Sequence, residues 1–226
     1  MAREIKYEFS FEDGSSWAYT LNFDAEHHFV PAAEATQREI KGWTRLKFNQ
    51  CPHCPLSTAD TLQCPVARNL DQMVEDSKNT LSITRALVTV TTPERTISRE
   101  CATQDGLRSL FGVIMASSAC PHLDWLRPLA RFHLPFADTD ETLFRVLSLQ
   151  LLHQFFNEEG SSLESASERT KERYSNVEKV NHAFIGRIRS YCDADADKNA
   201  IAALDVFVQL FQYQAEGDFG SLRKYF

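Results

Sequence analysis

The sequence predicts an α+β fold, an N-terminal, mostly antiparallel sheet followed by a C-terminal helical bundle, with the two joined at a four-cysteine site. Three observations predict it. Apolar and polar residues alternate with period two through much of the first hundred residues, and apolar residues recur at helical spacing through the second half. Cysteines followed directly by proline stand on both sides of the change, at Cys51, Cys54, Cys64 and Cys120. Strands followed by helices, rather than alternating with them, point away from a doubly wound sheet. The expected division is 1–102, sheet-rich and carrying the first three Cys-Pro pairs, and 103–226, helical and carrying the fourth, within one compact domain.

In the first element, Ile5, Tyr7, Phe9 and Phe11 share one side of a strand. Asp13-Gly14 supplies a turn, and Trp17, Tyr19, Leu21 and Phe23 resume the alternation, which together make a β-hairpin. The run Trp43 to Phe48 alternates again and predicts a third strand leading into Cys51. Leu70, Met73 and Val74 predict a helix that opens at Cys64-Pro65, where proline suits the first position. Residues 80 to 91 and 95 to 101 are β-branched and predict two more strands, with Cys101 as a buried, inert thiol.

Leu107, Leu110, Phe111, Ile114 and Met115 predict a helix ending in Ser117-Ser118-Ala119-Cys120-Pro121. A shorter one follows around Leu123, Trp125, Leu126 and Leu129. The segment from Glu141 to about Glu158, capped by Asp138, Thr139 and Asp140, is apolar nearly all round and is therefore expected to be buried. Gly160 to Ser167 reads as a loop. Tyr174 to Tyr191 carries a helical stripe, and Ile201, Leu204, Val208 and Phe211 mark the last helix. Asp193, Asp195 and Asp197 imitate a calcium loop, but Lys198 and Leu204 stand where glycine and glutamate are required, so calcium is rejected.

With 226 residues, 43% hydrophobic and 11% aromatic, the chain has a core large enough to fold without staples. A net charge of −7 argues against general affinity for nucleic acid or anionic membrane. The first residues contain no apolar signal segment, and no apolar run approaches the roughly 18 residues of a membrane span. Cytoplasmic location is expected, and in a reducing compartment clustered cysteines point to a metal rather than to disulfides.

Cys51, Cys54, Cys64 and Cys120 are accordingly the expected metal ligands, since thiolates hold soft metals. Buried cysteines of an ordinary core are the plainer alternative. One tight pair plus remote cysteines, several before proline, favours a [4Fe-4S] cluster, with zinc as the alternative. The expected function is an iron–sulfur protein in redox sensing or electron transfer. The alternatives are a structural zinc protein acting as a binding module, or a metal-dependent enzyme. His53 and His122, each in a Cys-Pro-His tripeptide, are candidate ligands or tuning groups beside the cofactor. Arg127, Arg131 and His133 are candidates for an anionic ligand next to it, although such arginines more often lie on a solvated face. An unknown protein or small molecule is the expected partner.

Gln50-Cys-Pro-His-Cys-Pro-Leu, Cys64-Pro-Val-Ala, Ala116-Ser-Ser-Ala-Cys-Pro-His and Ala130-Arg-Phe-His-Leu-Pro-Phe-Ala together resemble a bacterial family known only as a domain of unknown function. The likeness covers nearly the whole chain and implies a bacterial cytosolic protein, with no activity attached.

Overall fold

Ile5, Tyr7 and Phe9, on one side of the first strand, are fully shielded from solvent, and the strand that carries them is the centre of the sheet. In this computed structural model, residues 3–31, 39–157, 162–191, 198–199, 201–202, 204, 208 and 219–226 are described. Strand β1 (Arg3–Phe11) pairs antiparallel with β2 (Ser16–Phe23) across the predicted turn, so that Tyr7 faces Tyr19 and Phe9 faces Trp17. Gly14 sits at φ 84, a left-handed conformation that glycine adopts without penalty.

On its other edge β1 pairs with β4 (Arg85–Thr91), which turns at Thr92-Pro93 into β5 (Thr96–Ala102). The short β3 (Phe29–Val30) lies against β2, and the five antiparallel strands run in the order β3-β2-β1-β4-β5. The sheet and the helices that follow it confirm the α+β prediction. The second hairpin is shorter than expected, because residues 80–84 form turns before β4 begins.

The expected strand at Trp43 to Phe48 is absent. Gly42–Thr44 is one 3-10 turn, followed by further turns and a single bridge from Arg45 to Gln63. Trp43, Thr44 and Leu46 are all buried, which an alternating strand with one face open to solvent does not allow.

Helix α1 (Pro65–Ser77) opens with Cys64 as its cap residue and proline in its first turn, as predicted. Helix α2 (Thr103–Ala116) crosses the sheet. A Cβ on its Gly106 would stand 2.5 Å from Phe9 Cε1 and 2.9 Å from Val88 Cγ2, so glycine lets the helix backbone settle onto β1 and β4. A 3-10 turn at Asp124–Leu126 leads into the short α3 (Arg127–Arg131).

Helix α4 (Thr139–Asn157) corrects a second expectation. Leu143, Val146, Leu147, Gln150 and Gln154 face inward, while Phe155 and Phe156 are 71% and 74% exposed and Phe144 and Leu152 lie on the same open side. Continuous apolarity cannot tell burial on all sides from an apolar surface stripe.

Helix α5 (Leu163–Tyr191) begins well before the stripe that predicted it. Ser162 Oγ accepts the N–H of Ser165 at 3.1 Å and caps it, so most of the expected loop at 160 to 167 is helix. A final turn, α6, spans Gly220–Arg223. Most of the expected last helix and the Asp193 to Asp197 run lie outside the described residues. Buried side chains of the sheet and of α1, α2, α4 and α5 form one continuous apolar cluster, and this cluster joins the two parts of the fold.

Candidate functional site

The first three Cys-Pro pairs lie around α1, and the fourth follows α2. Cys51, Cys54 and Cys64 are half-buried and Cys120 is buried, and all four are free thiols. They line one small cavity of about 20 Å³, closed on the opposite side by Val180, Phe184 and Arg187 of α5. That space suits about one water molecule.

Among the described residues, no group of three or more His, Cys, Asp or Glu is placed to hold a metal ion. This overturns the expectation of a four-cysteine metal protein in each of its forms: the iron–sulfur protein in redox sensing or electron transfer, the structural zinc module and the metal-dependent enzyme. The reason is geometric: the side chains are not placed to converge on one ion. Burial pushes the Cys51 thiol up to about 11, helped by the neighbouring Cys64 and Cys54, and pushes Cys120 up to about 12. Apolar walls such as Leu46, Leu56 and Val66 favour the neutral thiol in the chain as it stands.

The Cys-Pro pairs instead shape the backbone. The Cys54 N–H returns to the Cys51 carbonyl at 3.1 Å, that of Leu123 returns to Cys120 at 2.9 Å, and Pro65 opens α1.

The rings of His53 and His122 pack with centres 3.9 Å apart, tilted by 30°. The Nε2–H of His122 donates to the His53 carbonyl at 2.8 Å, and that of His53 donates to the Asn176 carbonyl on α5 at 3.2 Å. The pair thereby links the first Cys-Pro loop, the Cys120 turn and α5. Burial, together with the neighbouring His122, lowers the His53 pKa, so its ring stays neutral.

The remaining candidates separate. Arg127 ion-pairs with Asp124 at 3.4 Å and hydrogen-bonds the His28 ring. Arg131 stands over the Phe132 ring, 4.0 Å from Glu94, whose carboxylate is already held by both guanidinium nitrogens of Arg3. His133 alone of the three faces a second and much larger cavity.

That cavity, of about 560 Å³, opens between α2, α3, α4 and α5. Its walls are mainly apolar, with Val113, Leu126, Leu129, Phe136 and Val177 among them. Gly112 of α2 also lines it, and a Cβ there would meet only Leu204, at 3.7 Å. Glycine inside a helix costs about 1 kcal/mol relative to alanine, and here its missing side chain leaves room in the cavity.

Part of the wall is polar. The Tyr7 hydroxyl stands 2.9 Å from Ser109 Oγ and 2.5 Å from His133 Nε2, reaching from β1 to the cavity wall. Burial raises the Tyr7 pKa, so the phenol keeps its proton, and burial lowers His133 to about 3, with the Arg145 and Arg3 charges adding to the effect. His133 is therefore neutral at physiological pH. Three arginines, Arg99, Arg108 and Arg145, line the cavity against one acid, Asp138, whose carboxylate caps α4 by accepting the Glu141 N–H.

A family model describing a domain of unknown function, DUF6901, matches residues 5–226. The chain belongs to this family. No curated protein and no solved structure matches it. In this DUF6901 chain the cavity of about 560 Å³ is lined by none of the cysteines that mark the sequence. Two signals for that cavity stood in the chain: Arg145 inside an otherwise apolar run, and Gly112 in the middle of a helix. Neither pattern is specific without the fold around it.

Proposed function

We propose that this protein binds a small, largely apolar molecule in the cavity between α2, α3, α4 and α5. The observation that supports it is the cavity itself: about 560 Å³, with mainly apolar walls and polar groups set among them, His133, Ser109 and Arg145 included. Binding sites for small organic molecules have this size and this composition. Burial of an apolar body against Val113, Leu129 and Val177 supplies the driving force, at about 25 cal/mol per Å² of surface removed from water. No helix among the described residues is long and apolar enough to cross a membrane, and every cysteine among them is a free thiol. Both features suit the cytoplasm, where thiols stay reduced.

The test is titration with Nile red, a neutral dye that brightens in apolar surroundings. One saturable site is expected, and Gly112→Trp, which fills the cavity from α2, removes it while the thermal transition persists. Dye also adheres to exposed rings such as Phe155 and Phe156, but that signal does not saturate at one equivalent and does not respond to Gly112→Trp. Absence of a saturable site, or saturation unchanged in Gly112→Trp, overturns the reading.

A further inference from the structure

We propose that the molecule held in this cavity is a carboxylate, with its acid group set against the guanidinium of Arg145 and its apolar body along α2 and α5. The inference rests on the binding reading above and adds the chemical class of the ligand. Arg145 lies on α4 in a run of apolar neighbours, Leu143, Phe144, Val146 and Leu147. Its Nη2 donates to the carbonyls of Leu129 at 3.2 Å and Phe132 at 2.7 Å, which fixes the guanidinium beside the segment that carries His133. Both residues line the cavity.

Among the described residues, Nε and Nη1 of Arg145 have no acceptor, and no carboxylate lies within ion-pair distance of it. Glu141, one turn earlier on α4, directs an oxygen to the Asp138 N–H at 2.9 Å. Burial already works against the Arg145 charge. The Glu141 charge offsets this only in part and from beyond ion-pair distance, and a half-buried guanidinium with no contact ion pair favours an added anion. The N–H groups that remain, on Nε and Nη1, lie on different edges of the guanidinium, and Nη1 is free to donate a charge-assisted hydrogen bond to one oxygen of a carboxylate. His133, being neutral, adds no competing charge, while Arg99 and Arg108 give the cavity a positive potential that Asp138 offsets only in part.

The experiment is displacement of Nile red from the full chain by decanoate, decanol and decyltrimethylammonium, which share one tail and differ in head group. A cavity lacking a cation favours the alcohol, because the carboxylate must shed more water. Decanoate is expected to displace the dye at a concentration about tenfold or more below that of decanol, as a charge-assisted hydrogen bond allows, with the cation weakest. In Arg145→Gln, dye binding persists and the advantage of decanoate over decanol falls to about twofold or less. Equal displacement by decanoate and decanol, or an advantage that survives Arg145→Gln, overturns the proposal while saturable dye binding leaves the binding reading in place. Should Arg145→Gln fail to fold, the ranking in the unaltered protein decides.

Discussion

The guanidinium of Arg187, on α5, donates at 2.7 Å to the backbone carbonyl of Trp43, and also to those of Arg45 at 2.7 Å and Leu46 at 3.2 Å. One side chain thereby satisfies three acceptors of an irregular segment that has no strand partner to do so. Trp43 completes the joint. Its ring stacks on Tyr191 with centres 5.3 Å apart, and its Nε1–H reaches Asp71 of α1 at 3.1 Å. Arg187→Met keeps the aliphatic stem and removes every donor. A buried acceptor left unmade costs about 1–3 kcal/mol, so a loss of about 3–5 kcal/mol is expected for the group. Urea denaturation measures it, and a loss below about 1 kcal/mol would show that water replaces the arginine.

Two glycines of α2 should respond with opposite sign. Gly106→Ala gains helix propensity of about 1 kcal/mol but drives a methyl into Phe9 and Val88, where overpacking costs about 1–3 kcal/mol. Net destabilisation is expected. Gly112→Ala gains the same propensity with only an ordinary contact to Leu204, and should stabilise by up to about 1 kcal/mol. Thermal midpoints of the two variants, measured side by side, check the pair; a shift in the same direction for both would contradict the packing of α2 on the sheet.

These particulars show what the chain makes legible. The hairpin was readable because Ile5, Tyr7 and Phe9 alternate and Asp13-Gly14 marks the turn, and α1 because Pro65 announces its start. Trp43 to Phe48 misled because its pattern is made by a joint, in which Arg187, some 140 residues away, replaces the strand partner. The four cysteines misled because a repeated Cys-Pro suits both thiolate ligation and a tight turn, and only the placement of the side chains distinguishes them. The large cavity had no local signature: its walls come from α2, α3, α4 and α5, and no spacing within one segment encodes the distance between helices.

Acid should weaken the fold through His133. Its pKa is lowered to about 3 by burial, below the unfolded value of 6.5, so the folded state binds fewer protons than the unfolded chain between these limits. The stability contributed by the neutral ring is fully present above about pH 6.5 and is lost as pH falls toward 3, by up to about 1.4 kcal/mol per pH unit for one proton. His53, also lowered, acts in the same direction. His133→Gln retains an oxygen to accept from Tyr7 and does not titrate. Its urea midpoint should therefore fall less between pH 7 and pH 5 than that of the unaltered protein. Parallel loss in both would move the acid sensitivity to another group.

The thiols should be slow to react. Thiolate is the nucleophile, and with Cys51 at about 11 and Cys120 at about 12 well under one molecule in a thousand carries it at neutral pH, against several in a hundred for an ordinary exposed cysteine. The walls that raise these values also restrict access, since the cavity holds about 20 Å³. Alkylation of Cys51 and Cys120 by iodoacetamide, followed residue by residue with mass spectrometry, should run about a hundredfold or more slower in the folded protein than in urea. Labelling of either residue in the folded protein at the urea rate would mean that the Cys51 loop and the Cys120 turn open together on the experimental timescale. The packed pair of His53 and His122, which ties them to each other, would then be the contact to re-examine.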